Sequence, residues 1–215
     1  MRTLLITCLC TLAAGTAAAQ QHQHAHEHRA GHLPPGQLPD GWRVRVDRDQ
    51  PATDIVFHAM DDHFHARTGP AAVFYRDDWT HTGDYSISAR FRQNRAPEHP
   101  ESYGLVIGGS DLDAAGQAYT YFLVRGGGEF FIARRDGAER TVVVPWTRHE
   151  AVAPQDPESG VQSNVLGIEV RGDEVVFAVN GTEVARRPRG ELHTEGIAGF
   201  RINHRLDVRV DQLHR

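Results

Sequence analysis

Lysine is absent from this chain: all 23 basic side chains are arginines, which reads as a coding bias rather than as chemistry. Cysteine is almost absent as well. Cys8 and Cys10 both fall in the apolar N-terminal run, so a processed chain carries neither disulfides nor a thiol nucleophile. No hydrophobic run approaches the roughly 20 residues of a membrane-spanning helix, and no membrane span is expected. The formal net charge is −5 with no basic run, which argues against nucleic acid as a partner. Helical periodicity is the last absence: no stretch repeats apolar residues at amphipathic-helix spacing.

What is present begins with an export leader. Met1 and Arg2 form a short positive start, residues 4–14 are apolar, and Ala17, Ala18 and Ala19 make an A-x-A cleavage signal before Gln20. Residues 1–19 are therefore expected to be a signal peptide, and the protein to be periplasmic or extracellular in a bacterium. Residues 20–41 come next as a disordered His-rich tail and linker, QQHQHAHEHRAGH running into two Pro-Gly-containing turns. Alternating His22, His24, His26 and His28 are candidate ligands for a transition metal such as zinc, copper or nickel. A solvated low-complexity linker is the plainer reading of the same residues.

From residue 42 to 215 the chain reads as short strands and tight turns. Residues 165–187, VLGIEVRGDEVVFAVNGTEVARR, are the clearest: Leu166, Ile168 and Val170 alternate with polar residues or glycine. Gly172 with Asp173, and Asn180 with Gly181, then turn the chain twice, and Asn-Gly suits the positive φ of a type I′ turn. In residues 84–92, Tyr85, Ile87, Ala89 and Phe91 share one face, with Ser86, Ser88, Arg90 and Arg92 on the other. Residues 64–67 and 71–75 flank Thr68, Gly69 and Pro70 and are expected to pair as a hairpin. About a dozen such strands with turns between them predict an all-β sandwich or barrel.

Chemistry is less legible. The close acidic pairs Asp61/Asp62, Asp77/Asp78 and Asp111/Asp113 sit in expected loops, where turn capping or calcium ligation is commoner than catalysis. Asp61, His63 and His65 would share one side of an extended strand and could face a metal, although solvated strand histidines are the commoner reading of two imidazoles and one carboxylate. No G-x-S-x-G elbow is present, and Gly126 to Gly128 lie between strands, as a hairpin turn does.

Six segments in order carry a resemblance: GDYSISARF, YGLVIGG, YTYFLVRGGGEFFIARR, NVLGIEV, VFAVNGTEV and GIAGFRINHRLDV. Together they resemble the LamG-like jelly rolls of the concanavalin A-like lectin/glucanase superfamily, across about four-fifths of the chain after the leader. The resemblance implies an antiparallel two-sheet jelly-roll sandwich over residues 42–215, with ligands carried on the concave sheet. The chain is also similar to 3-keto-disaccharide hydrolase-type domains, which implies an alternative as an enzyme on glycosidic bonds. Their N-S-G-I-x-F-R element is replaced here by residues 103–109, YGLVIGG, and the E-x-D-x-E spacing of laminarinase-type relatives is missing.

A polar face common to several strands supplies the candidate binding residues. Arg90, Tyr119, Tyr121, Arg125, Arg201 and Asn203 all point away from the apolar faces, with His204 at the rim, and Gly104, Gly108 and Gly199 leave space beside them. Tyrosine rings cover the apolar faces of pyranoses, while arginine and asparagine bond hydroxyls or carboxylates directionally. The expectation is thus an exported carbohydrate-binding module with an Arg/Tyr-lined sheet, an arginine-lined floor favouring acidic or oxidised sugars. A periplasmic metal-binding protein acting through the His-rich tail is the third reading. No cofactor is certain, with calcium or a transition metal as candidates.

Overall fold

A computed structural model describes residues 36–47 and 51–214. The leader and the histidine tail, including His22, His24, His26 and His28, lie outside the described residues. Strand alternation dictates the architecture. A strand with one apolar face must bury it against a second layer, and among the described residues fourteen such strands make two sheets facing one another. The first sheet runs β1 (Trp42–Val46), β4 (Ala72–His81), β13 (Gly196–Ile202), β6 (Ser102–Ser110), β7 (Ala118–Arg125), β8 (Glu129–Asp136), β9 (Glu139–Arg148). The second runs β12 (Thr182–Pro188), β11 (Glu174–Val179), β10 (Gln162–Arg171), β5 (Tyr85–Gln93), β14 (Asp207–His214), β3 (His63–Arg67), β2 (Val56–Ala59). Every strand pairing among the described residues is antiparallel. The 3-10 turns Ala52–Asp54 and Arg189–Glu191 are three residues each, and no described helix is long and apolar enough to cross a membrane.

The core between the sheets is aromatic and aliphatic. Phe74, Leu105, Phe122 and Phe200 from the first sheet meet Phe91, Leu166 and Phe177 from the second, all fully buried. Burying a side chain of this size contributes about 1.5–3 kcal/mol, so this cluster is the main stabilising element of the sandwich. The stretch 162–188 forms the expected meander β10–β11–β12. Its second turn has positive φ at both Asn180 (50°) and Gly181 (82°), and Asn180 Oδ1 accepts the Val165 amide at 2.8 Å.

One expected hairpin does not form. The strands flanking Thr68, Gly69 and Pro70 belong to different sheets: β3 pairs with β2 and β14, whereas β4 pairs with β1 and β13. The turn carries the chain from one layer to the other. Thr68 fixes it, donating from Oγ1 to the Asn203 carbonyl at 2.5 Å and accepting the Leu206 amide at 3.1 Å. Two alternating runs around a Gly-Pro turn look the same in sequence whether the strands pair or part.

The first sheet is not wet on its outer side. Val73, Tyr75, Val106, Tyr119, Tyr121, Leu123, Phe131 and Ala133 form a second buried cluster there, joined by Leu112 from the loop after β6. That loop folds back over the sheet and is pinned by β1. Arg45 Nη1 donates to the Leu112 and Ala114 carbonyls, each at 2.9 Å, and Arg43 pairs with Asp113 at 2.6 Å. Strand β6 is consequently buried on both faces, which explains why its sequence, SYGLVIGGS, shows weak polar alternation.

Candidate functional site

Register builds the site. Cross-strand partners share a face, so a row of paired residues is a line of neighbouring side chains. One row crosses the first sheet through Arg45, Val73, Arg201, Gly104, Leu123 and Phe131. Another passes through Arg43, Tyr75, Gly199, Val106, Tyr121 and Ala133. A third sets Tyr119 against Arg135 and Arg135 against Arg140. Arginines and tyrosines from six strands therefore converge on the outer face. Above them is a cavity of about 660 Å³, lined by Arg45, Asp47, Gln117, Tyr121, the β8–β9 turn with Arg135 and Arg140, then Arg201, Asn203 and His204. A second hollow of about 180 Å³ shares Tyr121, Arg140, Arg201 and Asn203, and extends to Arg125, Phe131 and Trp146.

Arg201 is the hub. Its guanidinium is nearly enclosed, contacts Asp47 through two nitrogens at 3.3 and 2.5 Å, donates to Tyr119 Oη at 3.3 Å, and lies 5.5 Å from the Tyr121 ring centre. Burial works to raise the Asp47 carboxyl, but the hydrogen bond and charge of Arg201, helped by Arg135 and His204, bring it below its ordinary range. Burial likewise raises the Tyr121 phenol, with Arg201 opposing, and the largely buried ring contributes one wall of the cavity. Arg125 sits 4.3 Å over the Trp146 ring and is held by Glu129 at 2.6 and 3.0 Å. That contact keeps the Glu129 carboxyl below its usual range. Trp146 in turn stacks on Phe131 at 5.0 Å.

The sequence-predicted residues separate into three groups. Tyr121, Arg125, Arg201 and Asn203 lie together on this face, and His204 stands at its rim beside Glu101, 3.7 Å away. Tyr119 is on the same face but has no exposed surface. It lies beneath Arg201 and supports that guanidinium rather than offering a ring to a ligand. Arg90 is elsewhere. It belongs to β5 in the second sheet, exposed on the opposite surface of the sandwich, 4.0 Å from Asp211. "Away from the core" describes two opposite surfaces in a two-layer sandwich, and alternation alone does not distinguish them.

The glycine expectation is also corrected. A Cβ on Gly104 would stand 2.0 Å from the Phe122 carbonyl oxygen, on Gly108 2.2 Å from that of His193, and on Gly199 2.3 Å from that of Phe74. Neighbouring backbone, not a ligand, occupies the room these residues leave. Each acidic pair has at least one member engaged: Asp77 and Asp113 with Arg43, Asp78 with Arg76, and Asp62 with the His63 ring. His65 bonds Asp207 at 2.8 Å, and among the described residues no three His, Cys, Asp or Glu side chains are grouped to hold a metal.

Sequence reading missed Arg45, Asp47, Gln117, Arg135, Arg140 and Trp146. The signal for Arg45 and Asp47 was present in WRVRVD, where Arg43, Arg45 and Asp47 alternate with Trp42, Val44 and Val46. What it lacked was the sheet to which that strand belongs.

No family model matches the chain, and no curated protein matches it in sequence. Solved structures do. A carbohydrate-binding module, CBM66, from Bacillus subtilis superposes with a TM-score of 0.58 at 11% identity, covering 80% of this chain and 93% of that one. The metal-free carbohydrate recognition domain of Emp46p superposes at a TM-score of 0.49 and 8% identity, covering 83% and 92%. The fold is an antiparallel two-sheet jelly roll. At these identities the similarity speaks for the fold, and the chemistry has to come from the side chains above the first sheet.

Proposed function

We propose that the outer face of the first sheet binds carbohydrate, with Tyr121 as the platform and Arg201, Asn203 and the β8–β9 turn as directional partners. The cavity over Tyr121 carries this reading. Its 660 Å³ lies within the size of a small-molecule site, and arginine and amide side chains surround a tyrosine ring. The neighbouring hollow, floored by Trp146 and Arg125, offers a second aromatic position for a longer glycan. That CBM66 is itself a carbohydrate-binding module adds to the reading. Binding is favoured over cleavage because the cavity lining contains one carboxylate, Asp47, and Arg201 holds it from two nitrogens. Glycoside hydrolysis uses two carboxyl groups at a set separation. Turnover of 3-keto-glucosides by the purified protein would reverse that preference.

The test is a glycan array probed with the wild-type protein and with Tyr121→Ala and Arg125→Ala. Binding that weakens by about tenfold or more in the variants places the ligand here; binding unchanged in both moves it elsewhere. Export to the periplasm or the cell exterior fits a glycan ligand and rests on residues 1–19. The alternating His22, His24, His26 and His28 support a separate metal-binding role for the tail. Equal zinc binding by the mature chain and by a chain starting at Leu38 would remove that role.

A further inference from the structure

The cross-strand pair Arg135 and Arg140 is unexplained by folding. The two are direct partners in the β8–β9 register, and both line the large cavity. Like charges placed opposite each other on one face destabilise a sheet. The surrounding carboxylates are already committed. Asp136 receives Arg134 at 3.2 Å and His193 at 2.7 Å, and Asp47 is held by Arg201. Among the described residues, neither Arg135 nor Arg140 forms an ion pair; Arg135 donates only to the Ala138 carbonyl, at 3.0 Å. With Arg45 and Arg201, the lining holds four guanidinium groups against one carboxylate.

Unpaired polar atoms refine the picture. Arg45 Nε and Arg135 Nε are buried donors with no partner among the described residues, and Gln117 Oε1 and Asn203 Oδ1 are buried acceptors in the same condition. All four belong to residues lining this cavity. Buried polar atoms are normally bonded, and leaving one unpaired is costly. The cavity thus sets guanidinium charge without an ion-pair partner beside amide side chains, a lining suited to a ligand that carries both negative charge and hydroxyls. A neutral sugar offers the hydroxyls only. A bare anion offers the charge only.

We propose that the ligand is an acidic glycan, its sugar carboxylate received by Arg135 and Arg140 while ring hydroxyls donate to Gln117 and Asn203. This assignment rests on the carbohydrate reading above and narrows it to a class. The planar guanidinium matches a carboxylate through two parallel bonds.

The experiment is titration calorimetry of the purified protein with galacturonate, glucuronate and mannuronate oligosaccharides, each as the free acid and as its methyl ester. The ester removes the charge and keeps the sugar skeleton. At least one acid is expected to bind about tenfold or more tightly than its ester, since a charge-assisted bond is worth about 1.5–3 kcal/mol. The advantage should shrink as salt rises. Arg140→Ala, an exposed position where folding is not at risk, and Arg135→Ala should bring the acid-to-ester ratio towards one. Tyr121→Ala should weaken both forms. Acid and ester of equal affinity, or a ratio unchanged in Arg140→Ala, overturns the acidic-glycan assignment and leaves glycan binding standing. Sulfated glycans bound as tightly as the best acid overturn the carboxylate preference. If neither the acids, the esters nor any array glycan binds, the carbohydrate reading fails as well.

Discussion

Asp47 and Arg201 form the most consequential pair at the residue scale, because both are largely enclosed and each is the other's charge partner. Removing one partner of such a pair leaves the other buried and uncompensated. Asp47→Asn is expected to lower stability by about 3 kcal/mol at pH 7, read from the denaturant midpoint. The pH dependence has a definite sign. The folded-state Asp47 carboxyl lies below its ordinary value, so its stabilisation is complete above the unfolded value of about 4 and is lost as pH falls through the lower folded one. Asp207 behaves in the same way. Burial pushes its carboxyl up, and Asn94 and His65 more than reverse that. Wild-type stability should therefore decline on acidification below about pH 4, and the gap to Asp47→Asn should narrow there. A gap independent of pH between 7 and 2 would detach Asp47 from this role.

At the scale of elements, the close approach of β13 and β4 depends on Gly199. Its missing side chain admits the Phe74 carbonyl oxygen where a Cβ would stand, at 2.3 Å. Gly199→Ala is expected to cost about 3 kcal/mol or more by overpacking, since rigid strand backbone cannot give way. Gly181 provides the contrast. Nothing lies within 4 Å of its Cβ position, and only its φ of 82° resists a side chain, so Gly181→Ala should cost about 1 kcal/mol. Thermal denaturation of the two variants checks the order. The loop closed by Leu112 belongs to this scale too. Leu112 is buried over the second apolar cluster, and Leu112→Ala should lower stability by about 2–3 kcal/mol and expose residues 111–117 to protease.

At the scale of the whole molecule, the two sheets share one core but have different outer surfaces. The second sheet's outer side carries Ser86, Ser88, Arg90 and Arg92 from β5, an ordinary solvated face. The first sheet's is covered by a small aromatic cluster, an arginine network and a returning loop. A ligand held there by five strands stabilises the folded sandwich as a unit. At a hundredfold excess over its Kd it should add about 2.7 kcal/mol, visible as a raised Tm. Arg90→Ala should leave that shift intact, whereas Arg140→Ala should reduce it.

Local alternation and turn chemistry in the chain determined most of the strands. LGIEVRGDEVVFAVNGTEV becomes the β10–β12 meander because Leu166, Ile168 and Val170 need one buried face, and because Asn180 and Gly181 accept positive φ. The outward direction of Tyr121, Arg125 and Arg201 was legible for the same reason: side chains in a strand alternate with a period of two. Sheet membership was not legible. Whether β3 pairs with β4, and whether Arg90 joins Arg201, depends on contacts between segments more than a hundred residues apart, which no local period encodes. The same holds for Arg135 and Arg140. Five residues apart, they are an ordinary pair in sequence, and only the β8–β9 register sets them side by side above Tyr121. Periodicity decides which face a residue takes, and long-range pairing decides what else shares that face.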